Sequence, residues 1–157
     1  MTRKTLAVIF SGAAALALAS AAAAVPLDAQ PGAWKVTVST TRNGKSIGEP
    51  KVSTTCITRD QLDNLSDKLA KPRSTQSEEC TRASFDQTAT TVDWKYQCKG
   101  EYTIYTIGSL KFDSPTHYSG TMKTGSITGG QTVDTVSTID AVRTGECTGN
   151  EPPAGSQ

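Results

Sequence analysis

The sequence predicts a mainly β protein: an antiparallel meander of about six to eight strands, curled into a curved sheet or an open barrel, with one short helix. Three observations lead there. Beyond residue 24 the chain holds twenty-two threonines, both tryptophans and all four tyrosines, and most of them lie in runs where large and polar side chains alternate. Those runs are separated by short turn signals, including Asn43-Gly44 and Gly129-Gly130. Only one stretch, around Leu62, Leu65 and Leu69, carries the three-and-four spacing of a helix.

The elements follow in order. "GAWKVTVST" places Trp34, Val36 and Val38 on one face and Lys35, Thr37 and Ser39 on the other. Asn43-Gly44 then predicts a two-residue hairpin, and "EPKVSTTCIT" returns with Val52, Thr54 and Cys56 in phase. "RDQLDNLSDKLAKP" is the amphipathic helix, capped by Thr58 or Asp60 and stopped by Pro72. Residues 80–98 read as a second hairpin turning near Ala89. Its first arm is short and includes Phe85, and its second sets Val92, Trp94, Tyr96 and Cys98 on one face. In "EYTIYTIGSLKF" the alternation slips between Ile104 and Tyr105, which a bulge or bend near Gly108 would explain. "DSPT" turns the chain into "HYSGTMKTGS", with Tyr118, Gly120 and Met122 in phase. In the last run Val133, Val136, Ile139 and Val142 recur every third residue, a helical hint that the many β-branched residues override in favour of strand.

The ends set the compartment. Residues 1–24 pass from Arg3 and Lys4 through an apolar run to alanines, the order of a cleaved secretory signal peptide. A membrane anchor needs about 20 strongly apolar residues, and alanine and serine dilute the second half of this run. The alanine richness points to a bacterial exporter, so the expected location is periplasmic or secreted, with no transmembrane segment after cleavage. Residues 25–30 are then a leader, 31–147 one disulfide-bonded β domain, and 148–157 a small, polar, proline-containing disordered tail. Loss of the signal leaves fourteen basic against fifteen acidic residues. That balance argues against a nucleic-acid partner and against a polybasic membrane contact.

Leu, Ile, Val and Phe make up roughly a sixth of the chain after residue 24, a thin core that calls for covalent support. Four cysteines in an exported chain supply it as two disulfides, with three possible pairings. In a hairpin turning near Ala89, Cys80 faces Cys98 at a separation a disulfide can span. That pairs Cys56 with Cys147. The spacings hold no C-x-x-C and no adjacent histidine, so neither a metal site nor thiol catalysis is expected, and no cofactor is implied.

Catalytic signals are weak. His117 is the sole histidine, with Asp113 four residues before it and Ser119 two after, but no nucleophile elbow accompanies it. Glu78-Glu79 and Asp60/Asp63 read as solvated carboxylates, and Asn64-Leu65-Ser66 matters as a glycosylation sequon only in a eukaryotic secretory pathway.

Six segments in order, from Pro31 to Cys147, carry a family resemblance. "PGAWKVTVST" is similar to a "PG-x-W-x-V/I-T" opening; "TTCIT" and a helix starting "RDQL" follow. "TVDWKYQCKG" resembles "W-x-x-x-C-x-G", "HYSGTMKT" resembles "Y-x-G-T-M", and "VRTGEC" resembles a closing "R-x-G-x-C". Together they resemble the bacterial exported domain-of-unknown-function family 3617. The departure is at "TRNGKSIGEP", where members often carry a Met-rich and Pro-rich hairpin. The resemblance implies an exported, disulfide-bearing β protein and no activity or catalytic residue.

The expected function is therefore non-enzymatic. A curved sheet could hold a small apolar ligand, a lipid tail or a peptide between its concave face and the helix, lined by Trp34, Trp94, Tyr96, Tyr105, Tyr118 and Met122. The alternative is a structural or interaction module of the envelope, pairing an edge strand with a partner protein.

Overall fold

The computed structural model describes residues 25–65, 79–99 and 103–152. Eight antiparallel strands form one open sheet: β1 (Gly32–Arg42), β2 (Lys45–Ser46), β3 (Lys51–Ile57), β4 (Glu79–Gln87), β5 (Thr91–Lys99), β6 (Thr103–Ser114), β7 (His117–Thr128) and β8 (Gln131–Gly145). Their spatial order is β2-β1-β8-β7-β6-β5-β4, with β3 pairing β1 beyond β2 along the same edge. The sheet does not close into a barrel. It is a meander from β4 to β8, and the first strand returns beside the last.

Turn chemistry fixes the registers. Asn43 and Gly44 both have positive φ, +48° and +77°, as a two-residue hairpin turn between Arg42 and Lys45 requires. Gly129 and Gly130 do the same between Thr128 and Gln131. Between β4 and β5 the Thr88 hydroxyl accepts from the Thr90 and Thr91 amides. The first arm of this hairpin is nine residues long, as long as its partner, where the sequence suggested a short one.

The registers sort side chains onto two faces. Val92, Trp94, Tyr96 and Cys98 of β5 share one face with Ile104, Thr106, Gly108, Leu110 and Phe112 of β6, with Tyr118 and Met122 of β7, with Ile139 and Ala141 of β8, and with Val36 of β1. This face carries the core and is covered. Helix α1 (Arg59–Asp63) lays Leu62 on it, with Leu65 packed alongside. Thr58 caps the helix in a capping box with Gln61. Leu69 and Pro72 of the expected helix lie outside the described residues.

The leader also covers this face, a correction to the boundary at Pro31. Leu27 and Ala29 are buried in the core. The strap is pinned by Asp28 N–H to Ala89 O at 2.7 Å, by Gln30 N–H to Pro115 O at 2.8 Å, and by Trp34 Nε1 to Gln30 O at 3.2 Å. At the other end, residues 148–152 of the expected tail are hydrogen-bonded. Glu151 accepts from the Thr148 and Gly149 amides, and Pro152 O accepts from Cys56 N–H on the outer side of β3.

The slip in β6 has a different cause from a bend. The β5–β6 register runs without a shift from Thr91↔Lys111 to Lys99↔Thr103. Gly108 sits in regular strand and leaves room for the indole of Trp94: a Cβ there would lie 2.0 Å from Trp94 Cζ2. The irregularity of β6 falls instead between Phe112 and Ser114. The three-residue spacing of β8 resolves simply, since it sends Val133 and Ile139 to the covered face and Val136 and Val142 to the other.

Candidate functional site

The structure joins Cys56 to Cys147, with Cα atoms 5.5 Å apart, and Cys80 to Cys98, which are directly opposed in the β4–β5 ladder. Cys147 follows β8, so the first bond ties the outermost strand to the chain end.

Of the six residues expected to line a ligand site, five lie on the covered face. They pack in and against the buried core. Trp34 is 0% exposed and Trp94 5%. The Tyr118 ring lies 5.3 Å from that of Trp34 and 5.0 Å from that of Phe112. Burial pushes the Tyr118 phenol up to about 12. Burial also raises Tyr96, with Arg82 across the ladder working against that shift. Met122 packs at the margin of the same cluster. These residues are core.

Tyr105 is the exception, and the expected grouping fails there. It lies opposite Gln97 and Gly125 on the open face. That face of β5, β6 and β7 holds a shallow groove of about 370 Å³, lined by Lys95, Gln97, Thr103, Tyr105, Ile107, Lys123 and Ile127. The ladders explain its form. One rung is Lys95–Ile107–Lys123, the next Gln97–Tyr105–Gly125, and the third ends in Thr103–Ile127. Gly125 lets the phenol ring lie flat, because a Cβ there would come within 2.1 Å of Tyr105 Cζ. Ile107 and Ile127 are 43% and 41% exposed, large apolar side chains that the fold itself does not bury.

A polar cluster anchors one wall. Asp134 of β8 accepts from the Tyr105 hydroxyl at 2.5 Å and pairs with Lys123 Nζ at 2.8 Å. The Asp134 amide donates to Asn43 Oδ1 in the β1–β2 turn. Bonds from Lys123 and then Tyr105 hold the Asp134 carboxyl below the usual carboxylate range, and the same Asp134 raises both Tyr105 and Lys123. Lys95 makes no ion pair among the described residues.

His117 forms a second cluster on the open face. Its Nδ1 lies 2.7 Å from Asp113 Oδ1 and its Nε2 3.0 Å from Asp140 Oδ2. These bonds, Asp113's first, raise the imidazole above 6.5. With both ring nitrogens engaged, neither is placed to take a proton from Ser119. The two carboxylates approach opposite sides of the ring and do not converge on one point. Among the described residues no group of three or more His, Cys, Asp or Glu side chains is arranged to hold a metal. Asp60 accepts from Asn64 and Asp63 pairs with Arg59, so these acids serve the helix. Glu78 and the Glu79 side chain lie outside the described residues.

The groove escapes sequence reading because β6 is apolar on both faces. Ile104 and Leu110 point one way, Tyr105 and Ile107 the other, and a pattern of period two then has no phase. The one available signal was that same slip, which marks a change of face for the large residues and not a bend.

The family model for proteins of unknown function DUF3617 matches residues 29–147, and the chain belongs to that family. No curated protein and no solved structure matches.

Proposed function

We propose that this member of the DUF3617 family is an exported, non-enzymatic protein of the bacterial envelope that binds a small apolar ligand or a lipid chain, and that the ligand lies on the open face of the sheet over β5, β6 and β7. The observation that carries this reading is the groove floored by Tyr105 between the exposed Ile107 and Ile127. Its volume of about 370 Å³ falls within the range of small-molecule sites. The two disulfides favour an oxidising compartment, and no helix among the described residues is long and apolar enough to cross a membrane. The engaged ring nitrogens of His117 and the scattered carboxylates support a role other than catalysis.

The test uses a neutral apolar fluorophore, N-phenyl-1-naphthylamine, titrated into the oxidised protein. Saturable enhancement that disappears in Ile127→Ser and in Ile107→Thr is the expected result. Enhancement unchanged in both variants, or absent in the wild type, defeats the reading.

The open sheet favours one other reading, an interaction module. Strand β4 pairs with β5 alone among the described strands, leaving its other side for an added strand. Crosslinking in cells that captures one dominant partner through residues of β4 would support this; capture through none would remove it.

A further inference from the structure

Resting on the groove reading, we infer that the occupant is a single-chain amphiphile with one anionic headgroup, received by Lys95, and that Asp134 sets the preference for a single negative charge.

The argument is one of charge and shape. Both cations of the groove stand on the same rung, Lys95 and Lys123, with Ile107 between them. The other end is Thr103 and Ile127. From Ile107 back to Thr103 the strand covers about 13 Å, so both groove lysines stand at one end and Ile127 stands beside Thr103 at the other. Asp134 neutralises Lys123 at 2.8 Å. Among the described residues the groove is left with one unpaired positive charge, on Lys95. A monoanion completes that balance. A dianion over-compensates Lys95 and sets a surplus negative charge near the Lys123-paired Asp134, and a cationic amphiphile meets Lys95. The small volume and open form suit one chain lying over the Tyr105 ring, not two. Lys99 also stands on the open face, opposite Thr103, but does not line the groove.

Asp134 acts through its neighbours. It fixes Lys123 and the Tyr105 hydroxyl and so is a positioning residue. Its replacement by Asn releases Lys123 and doubles the unpaired charge of the groove.

The experiment compares decanoate, decanol, decyltrimethylammonium and decyl phosphate, each below its micelle concentration, by displacement of the neutral fluorophore at low salt. Amide shifts of Gln97, Tyr105 and Ile127 locate the binding. Decanoate should bind about three- to fivefold more tightly than decanol, the scale of one exposed ion pair. The difference should vanish in Lys95→Met and in 1 M salt. In Asp134→Asn the doubly charged decyl phosphate should gain more than decanoate does, a change in selectivity that mere loosening of the strand would not give. Decanol binding as tightly as decanoate, decyltrimethylammonium binding best, or a preference that survives Lys95→Met would each overturn the headgroup inference while leaving the apolar groove standing. If decanoate monomers fail to bind and only anionic vesicles retain the protein, the lysines serve a membrane surface and the inference falls. If no chain perturbs Tyr105 or Ile127, the groove reading itself fails.

Discussion

Two glycines with nearly equal steric demands should respond unequally to alanine. At Gly108 an ideal Cβ lies 2.0 Å from Trp94 Cζ2, and at Gly125 it lies 2.1 Å from Tyr105 Cζ. Neither glycine has positive φ, so backbone strain does not enter. Ordinary contact begins at 3.4 Å, which means each ring must retreat by about 1.4 Å. Trp94 has nowhere to go: it is 5% exposed and clustered with Leu27, Leu62, Val92 and Phe112. Overpacking of that kind costs about 1–3 kcal/mol. The gain from removing a strand glycine, about 0.5–1 kcal/mol, offsets part of it. Gly108→Ala should therefore destabilise the protein by about 1–2 kcal/mol. Tyr105 lies on the open face and can swing into solvent, losing its bond to Asp134 but little packing. There the loss, about 1 kcal/mol or less for an exposed hydrogen bond, is matched by the glycine gain, and Gly125→Ala should be near neutral. Urea unfolding followed by far-ultraviolet circular dichroism measures both. In a Trp94→Phe background the smaller ring leaves room, so Gly108→Ala should cost less, a coupling of at least 0.5 kcal/mol. Equal losses at the two glycines, or no coupling with Trp94, would refute the assignment of Gly108 as the seat of the indole.

Other outcomes follow from the same structure. Replacing Cys56 and Cys147 by alanine opens a loop spanning 91 residues and should cost about 4–5 kcal/mol, against about 3 kcal/mol for the 18-residue loop of Cys80 and Cys98, both read from urea midpoints of oxidised protein. The folded state holds the His117 proton more tightly than the unfolded chain, because Asp113 and Asp140 bond to the ring. Its stabilisation is complete below about pH 6.5 and is lost as pH rises through the folded value, so His117→Asn should flatten the fall in unfolding midpoint between pH 5.5 and 8.5. Asp134 works in the other direction: its lowered carboxyl contributes stability above 3.8 that disappears as pH falls through the folded value, and Asp134→Asn should remove that acid limb. Thr58→Ala, which deletes the capping box, should cost about 1 kcal/mol in the same urea assay.

What the sequence made legible was whatever depends on neighbours in the chain. Asn43-Gly44 and Gly129-Gly130 specify hairpins because only residues that tolerate positive φ close a two-residue turn. Val92, Trp94, Tyr96 and Cys98 alternate with Asp93, Lys95 and Gln97, and β5 obeys that alternation along its whole length. Of the two caps the sequence offers, Thr58 and Asp60, it is Thr58 that caps α1. What stayed hidden depends on residues far apart. Leu27 looks like the end of a processing region, yet it is buried in one cluster with Leu62 of α1 and with Val92, Trp94 and Tyr96 of β5. Gly108 reads as a bend until the β5–β6 register sets it against Trp94. Tyr105 looks like one more core aromatic until the ladder places it over Gly125, beside an aspartate 29 residues away. Asp134 carries no signal of its own in "TVDTVST", since its meaning comes from Lys123 and Tyr105.

The position of the disulfides bears on where a ligand can act. A sheet cored on one face is weakest at its edges, where each strand has one neighbour. The Cys80–Cys98 bond fastens β4, one edge, at the end of β5 that leads to Thr103. The Cys56–Cys147 bond fastens β3, the other edge, at the opposite end of the strands, beside Gly145. The staples thus hold diagonal corners, while the central strands β6, β7 and β8 are joined by their ladders and by the bonds of Asp134 to Tyr105 and Lys123. An occupant of the covered face would have to lift the leader and α1 from Trp94 and Phe112, exposing the scarce apolar surface that stabilises the fold. An occupant of the open face disturbs none of it. That difference is why the proposed site is the groove over β5–β7 and not the covered face.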